Sequence, residues 1–300
     1  MITAIVTDST ADLPSDLSAA RGLTVVPLTV MLDEHAYQDG VDITAADFYR
    51  RLQSASSPAT TSQPTPASFE GAYRRLLEDH DQVVSIHISA KLSGTYAAAV
   101  QGARMTGAGD RIRVIDSEVV SMPLGLIVLA ATAAAAAGAS AGEVAERVEE
   151  LRGQVGVFFV VASLEYLRRG GRIGAANALL GSVLQVKPVL TIRGGEVSPL
   201  ARVRTQERAL ARLVELVREQ DRGHGLCAIV GHAASEESAE RIASEIEPSC
   251  DTLLVQALGP VVGAHAGPGT VGVGCYPAEL FPLGLKSAAG RTGVSAAAAS

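Results

Sequence analysis

The sequence contains no tryptophan, and aromatic residues make up only 4% of its 300 positions. That scarcity argues against the stacking platforms by which single-stranded nucleic acids are held. A cationic excess is missing as well: 25 Lys and Arg stand against 32 Asp and Glu, a net charge of −7. An acidic chain lacks the electrostatic footprint of a sequence-independent nucleic-acid binder. Cysteine is sparse. Cys227, Cys250 and Cys275 are isolated and odd in number, which fits a reducing compartment and offers no zinc spacing. There is no His-Glu-x-x-His pair, no Walker loop and no Gly-x-Ser-x-Gly elbow, so no catalytic metal is expected. The N-terminus lacks a basic n-region and runs straight into a strand pattern. No signal peptide is therefore expected, and the expected location is cytoplasmic.

Apolar residues, by contrast, are plentiful. The chain is 47% hydrophobic and 19% charged, enough for a sizeable core, and its length suits two domains or one large one. Val119 to Gly142 carries no charge at all. Its length would allow a membrane span, but it is rich in alanine and flanked by Glu118 and Glu143, with no Lys/Arg cluster or aromatic belt. The better reading is a helix buried on all sides of a core, over Pro123–Gly138.

Strand and helix patterns alternate through the first half. Strands are expected at Ile2–Val6, Val25–Val30, Val83–Ile88 and Ile112–Ile115. Asp33–Gly40 reads as a loop or hairpin, and Ser54–Pro66 as a Ser/Thr/Pro loop. Helices are expected from Thr44, around Phe69–Leu77, from Tyr96, and from Ser140 with Glu143 completing a capping box. This order predicts an α/β fold: an N-terminal, mostly parallel, doubly wound sheet over 1–153. A C-terminal α+β domain is expected over 154–283. It has a strand at Val155–Ala162, a hairpin turning at Arg193-Gly194-Gly195, and an amphipathic helix from Thr205. Residues 284–300, rich in Ala, Gly and Ser, read as a flexible tail.

In a doubly wound sheet, ligands sit beyond the carboxyl ends of the strands. Three such ends carry oxygen-rich turns: Asp8-Ser9-Thr10, Ser93-Gly94-Thr95 and Asp116-Ser117. Ser93-Gly94-Thr95 opens a helix. It is therefore either an ordinary N-cap or one wall of an anion site. Thr60-Thr61-Ser62-Gln63-Pro64 displays hydroxyls on a proline-stiffened loop, which reads as a solvated linker or a displayed site. His265 stands before Gly267-Pro268-Gly269, where the backbone can fold closely around a ligand. His87 alternates with apolar residues and reads as a satisfied core or edge histidine. Arg168, Arg169, Arg172, Lys187, Arg193, Arg202, Arg204, Arg208 and Arg212 crowd one window. They are equally a solvated surface and a docking face for an acidic or phosphorylated partner.

Six motifs occur in order: Thr7-Asp8-Ser9-Thr10-Ala11-Asp12, Thr61-Ser62-Gln63-Pro64, Lys91-Leu92-Ser93-Gly94-Thr95-Tyr96, Val114-Ile115-Asp116-Ser117, Leu167-Arg168-Arg169-Gly170-Gly171-Arg172-Ile173, and His265-Ala266-Gly267-Pro268-Gly269-Thr270-Val271-Gly272. The ordered set resembles the DegV family of bacterial fatty-acid-binding proteins over about Ile2 to Tyr276. The resemblance implies a long-chain fatty acid, such as palmitate, buried at the interface of two α/β domains. Its carboxylate would be held by Thr61, Ser93 and His265, with Ser62, Gly94 and Thr95 as the supporting loops and Thr95 capping its helix. Leu126, Ile127, Leu129 and Ala130 of the uncharged helix are the candidate acyl-pocket wall.

The resemblance further implies a lipid-presenting subunit with no catalytic centre, cofactor or metal of its own. A separate ATP-binding fatty acid kinase protein would phosphorylate the presented carboxylate to an acyl phosphate for phospholipid synthesis. Arg172 and Arg204 are the candidate docking residues for that partner. Transient membrane contact would serve lipid exchange, without a membrane span. The alternative is a small-molecule transferase or hydrolase using Ser93 and His265 in the cleft. A sensor that binds lipid without a kinase partner is a third reading.

Overall fold

The structure, a computed structural model, describes residues 1–180 and 187–283; the tail expected over Gly284–Ser300 lies outside the described residues. Two larger sheets face each other across one apolar helix. The first sheet has the order β2 (Thr24–Val26), β1 (Thr3–Asp8), β6 (Gln82–His87), β7 (Ile112–Asp116), and all its strands are parallel. Short helix α1 (Ser15–Ala20) joins β1 to β2. Every residue of β1 is buried, as expected for a parallel strand covered on both faces. Alternate side chains go to opposite layers. Ala4, Val6 and Val83 meet Phe69 and Tyr73 of α3 (Pro66–Asp79) and Ala98 of α4 (Thr95–Thr106). Ile5, Val84 and Ile86 face α5 (Met122–Ala136) and α6 (Ala141–Arg152).

The second sheet is mixed, with order β10 (Glu196–Val203), β9 (Lys187–Arg193), β8 (Gly156–Val160), β13 (Val271–Pro277), β11 (Leu226–His232), β12 (Cys250–Ala257). Only β11 and β12 run parallel; the other neighbours are antiparallel. One face is covered by α8 (Gln206–Arg218) and α9 (Glu236–Ile246). The other turns Val157, Phe159 and Ile229 toward α5. Helix α5 thus has a sheet on each side, so Met122 to Thr132 are all buried and it shows no polar face. None of the described helices is long and apolar enough to cross a membrane.

Three local expectations change. The run Val25–Val30 is not one strand. Pro27 has no N–H for a ladder, so the chain splits into β2 and β3 (Thr29–Leu32), and β3 joins a separate sheet. Asp33 and Glu34, at φ 46° and 66°, turn β3 into β4 (His35–Gln38) as a two-residue hairpin. The Ser54–Pro66 segment, which follows α2 (Ala45–Leu52), is not all loop: β5 (Thr60–Ser62) pairs Thr61 with Val30. And His265 lies on a short helix, α10 (Pro260–Ala266), where only a glycine-rich approach to the last strand is expected from the sequence. Gly259-Pro260 supplies its start, with proline at the first helical position, where a missing N–H costs little. Helix α7 (Glu165–Arg169) carries the start of the arginine-rich motif.

Candidate functional site

Between the sheets lies a cavity of about 790 Å³, its open mouth included. Most of its lining is apolar: Leu28, Ile88 and Leu92 from the first half, Val157 and Phe159 of β8, and Val261 of α10. At one end stand Thr61, Ser93, His265 and Arg172. Three of these come from segments far apart in the chain. Thr61 is fixed by its pairing in β5, Ser93 by the turn before α4, and His265 by the last turn of α10.

Thr61 Oγ1 and His265 Nε2 are 2.8 Å apart, across 204 residues of sequence. Burial, and then the Arg172 guanidinium, push the imidazole down to about 4, so it is neutral near pH 7. A neutral ring carries one N–H. With that proton on Nε2 it donates to Thr61, and the Thr61 hydroxyl is free to donate into the cavity. His265 Nδ1 is buried without a hydrogen-bond partner among the described residues. Ser93 is held in a similar way. Its Oγ accepts from Thr95 N at 3.3 Å and lies 2.8 Å from Thr95 Oγ1. With Thr95 donating, the Ser93 proton also points outward. Two hydroxyl donors on one neutral, positioned frame suit a carboxylate.

Thr95 does not cap α4 with its own side chain, as expected from the sequence. The cap position is Gly94, and the hydroxyl that takes the first free N–H is that of Ser93. Thr95 is fully buried and Ser62 is exposed in β5; with Gly94, both sit beside the cavity without lining it. Leu126, Ile127, Leu129 and Ala130 do not line the cavity either. They pack into the core between the sheets, and the cavity wall from α5 is its first residue, Met122, with Ser121 and Val120 before it. The reason is geometric. The cavity lies beyond the carboxyl ends of β1, β6 and β7, and only the start of α5 reaches that level. Of the three oxygen-rich turns, Thr10 and Ser93 reach the cavity, while Ser117 is buried and bonded to Val119.

Nitrogen Nε2 of His265 goes to Thr61, and no hydrogen bond joins it to Ser93 among the described residues. A nucleophile–base couple of the kind the transferase or hydrolase alternative needs is not formed. No group of His, Cys, Asp and Glu able to hold a metal occurs among the described residues.

A second, more polar cavity of about 1020 Å³, mouth included, opens beside the first and shares Thr61, Arg172 and His265 with it. Arg172 Nε donates to the Leu92 carbonyl at 3.0 Å, and Nη1 to that of Gly170 at 2.5 Å. These bonds tie the arginine motif to the turn that carries Ser93. Arg168 and Arg169 both bind Glu165, which they hold down at about 2. Arg204 is exposed on the far end of the hairpin.

Two buried groups next to the site escape a sequence reading. Asp12, at φ 52°, accepts from Ser121 Oγ at 2.5 Å and from Gly259 N at 2.9 Å, so it joins the start of α5 to the start of α10. Burial raises its pKa well above the usual carboxylate range. Asp39 lies on the same side of α10, and burial pushes it up to about 7. The His87 prediction stands otherwise: its ring is fully buried and bonded on both sides, Nδ1 to Asp8 Oδ2 at 2.9 Å and Nε2 to Ser85 Oγ at 2.6 Å.

A family profile described as "Uncharacterised protein, DegV family" matches residues 2–278. The chain is 43% identical over 274 residues to a DegV domain-containing protein of Streptomyces coelicolor, covering 90% of this chain and 96% of that one. Among solved structures, one described as fatty acid binding of a DegV family protein from Thermus thermophilus has 38% identity and a TM-score of 0.87, covering 92% of this chain and 100% of that one. DegV of Bacillus subtilis, described as a fatty acid binding protein, has 32% identity and a TM-score of 0.84, with 92% and 99% covered.

Proposed function

This chain belongs to the DegV family, and from that premise we propose that it binds a long-chain fatty acid. The acyl chain lies in the apolar cavity between the two halves, 1–153 and 154–283. Its carboxylate accepts from Thr61 and Ser93, with His265 orienting Thr61. The observation that carries this reading is the Thr61–His265 couple at 2.8 Å, placed with Ser93 at one end of a cavity whose remaining walls are largely apolar. Each buried methylene contributes about 0.8 kcal/mol, so a long chain reaches high affinity with few polar contacts. The relatives from Thermus thermophilus and Bacillus subtilis, described as fatty-acid-binding, support the ligand class.

The protein's role in this proposal is presentation. It acts in the cytoplasm and has no chemistry of its own: a separate ATP-dependent kinase phosphorylates the bound carboxylate to an acyl phosphate. The hydroxyl donors are neutral and Arg172 is bonded to the Leu92 and Gly170 carbonyls, which supports this, since an unpaired carboxylate keeps its lone pairs available for attack on a phosphorus atom. The polar cavity beside the site offers access, with Arg172 in its lining, and Arg204, exposed at the far end of the hairpin, is the second candidate docking residue. Mass spectrometry of an organic extract of the purified protein tests the ligand. A stoichiometric long-chain fatty acid is expected; folded protein that neither carries nor takes up fatty acid overturns the reading. Pull-down with the bound lipid, followed by acyl phosphate assay with ATP, tests the kinase separately.

A further inference from the structure

Two adjacent glycines follow α7, and they have different tasks. Gly171 has φ 70°, in the left-handed region that favours glycine, and nothing lies within 4 Å of where its β-carbon would be. It turns the chain. Gly170 has an ordinary φ of −73°, so its backbone does not require glycine. What it requires is space. A Cβ there would overlap Nδ1 of His265 and stand 2.9 Å from its Cε1 and 3.3 Å from its Cγ. The Nδ1 edge of the imidazole thus rests on a bare α-carbon at the end of α7.

The packing is reciprocal. Gly267, just after α10, receives the ring of Tyr166 from α7: a Cβ there would overlap Tyr166 Cδ2 and stand 2.6 Å from its Cγ. Each helix sets a ring against the other's glycine. Arg172 ties Gly170 in place, since its Nη1 donates to the Gly170 carbonyl at 2.5 Å while Nε donates to that of Leu92, next to Ser93.

This contact bears on where the imidazole keeps its proton. The ring is neutral near pH 7 and carries one N–H. Nε2 lies 2.8 Å from the Thr61 hydroxyl, which both donates and accepts, so it is satisfied in either tautomer. Nδ1 is buried, faces carbon and has no hydrogen-bond partner among the described residues. A proton there would be a buried donor without an acceptor; a bare lone pair is the milder state. The tautomer matters to Thr61. If Nε2 lacked the proton, Thr61 would donate to it and offer the cavity only lone pairs, which repel a carboxylate.

We propose that Gly170 is a positioning residue of the site: it seats the Nδ1 edge of His265 on a bare α-carbon, keeps the imidazole proton on Nε2, and so turns the Thr61 hydroxyl proton toward the ligand. That the ligand is a fatty acid rests on the reading above. The arginine-rich motif therefore shapes the carboxylate site through a glycine as well as through Arg172.

The test uses the full chain, first stripped of lipid, with nitrogen-labelled histidine. Ring-nitrogen NMR shifts at pH 7 distinguish an N–H from a bare nitrogen, and the absence of one set in His265→Gln assigns His265 among the six histidines. Wild type is expected to show a bare Nδ1 and a protonated Nε2. Gly170→Ala pushes the ring off its seat. It should weaken palmitate binding by about tenfold or more, and palmityl alcohol binding by less than about threefold. Gln at 265 offers an amide N–H to Thr61 and has no ring to seat, so Gly170→Ala should cost no further palmitate affinity in the His265→Gln background. A proton on Nδ1 in wild type overturns the proposal without any variant, and so decides even if Gly170→Ala does not fold. A folded Gly170→Ala that keeps its palmitate affinity, loses acid and alcohol equally, or adds its full loss to that of His265→Gln also overturns it, and leaves the fatty-acid reading standing. Wild type that takes up neither palmitate nor the alcohol overturns the fatty-acid reading, while its tautomer still decides the seat.

Discussion

The side-chain amide of Gln63 lies where a β-carbon on residue 94 would have to be. A Cβ there would overlap Gln63 Oε1 and stand 2.7 Å from its Cδ. The two motifs that display Thr61 and Ser93 are thus packed directly against each other, and glycine is what lets them meet. Gly94 has an ordinary φ of −73°, so an alanine there meets a neighbour and not a strained backbone. Gly94→Ala is expected to displace Gln63, change the Thr61–Ser93 spacing, and weaken palmitate binding at least threefold. Stability should fall by no more than about 1 kcal/mol, because a flexible side chain gives way. Gly71→Ala is the control, since its nearest neighbour is 3.7 Å away. Titration calorimetry with palmitate and urea unfolding read the two effects; unchanged affinity in Gly94→Ala would disconnect the loops from the site.

Thr61→Val keeps the shape of the side chain and removes its hydroxyl. The carboxylate loses a donor and His265 Nε2 loses its partner. A hydrogen bond to a charged group is worth about 1.5–3 kcal/mol, so palmitate affinity should drop roughly 10- to 150-fold. Ser93→Ala should fall in the same range. Binding of the corresponding primary alcohol, which has no carboxylate, should change far less in both variants. An equal loss for acid and alcohol would show that the hydroxyls shape the pocket without holding the carboxylate.

How far the sequence carries is visible in particular residues. The apolar runs at Ile2–Val6 and Val83–Ile88 predict strands, and Ser140 with Glu143 marks a helix start; both are found. The uncharged run after Val119 reads as a helix buried all round, which its place between two sheets explains. Thr61, Ser93 and His265 fall together through the ordered motifs, not through spacing, because contacts over 204 residues leave no local trace. Pro27 and Pro260 carry the signals of a strand break and a helix start, but the apolar pattern runs one strand through the first and predicts no helix at the second. The cavity wall was not legible. Leu126 and Met122 are equally apolar in sequence, and only the level at which α5 meets the strand ends separates a core residue from a lining one.

A buried relay beneath the site fixes the first sheet without touching ligand. Tyr73 OH donates to Ser85 Oγ at 2.9 Å, Ser85 to His87 Nε2 at 2.6 Å, and His87 Nδ1 to Asp8 at 2.9 Å. All four side chains are fully buried. Ser85→Ala leaves the Tyr73 hydroxyl and a ring nitrogen unpaired. It should cost about 2–4 kcal/mol in chemical denaturation. Palmitate affinity of the folded variant should stay within about twofold of wild type, since none of Tyr73, Ser85 and His87 lines the cavity. A large affinity loss would mean that the relay communicates with the carboxylate site.

Asp39 should make the protein less stable as pH rises. Its folded pKa, about 7, stands above the ordinary carboxylate value because burial penalises the charged form. Between about pH 4 and 7 the native state holds a proton that the unfolded chain has released, so stability falls across that window and levels off above it. Asp39→Asn removes the titration. It should match wild type near pH 4 and exceed it by about 1–3 kcal/mol at pH 8. Urea unfolding at both pH values checks this; a constant difference between the two proteins would refute the buried proton.

His265 carries the opposite sign. Burial and Arg172 lower its folded pKa to about 4, below the ordinary value near 6.5. Between those values the unfolded chain binds a proton that the native state does not, so the contribution of His265 is full above pH 6.5 and is lost as pH falls toward 4. Asp39 gains over part of the same range, which makes the wild-type profile a poor witness to either group. The informative quantity is the difference between wild type and His265→Gln. Wild type should lose about 1–2 kcal/mol relative to the variant on going from pH 7 to pH 5. Palmitate should reduce that asymmetry. A bound carboxylate beside Thr61 favours the imidazolium, so saturating ligand should raise the His265 pKa and shrink the loss at pH 5. Imidazole carbon shifts measured by NMR across pH 3.5–7.5, with and without palmitate, read this directly. A titration midpoint that does not rise when palmitate binds would place the carboxylate away from His265.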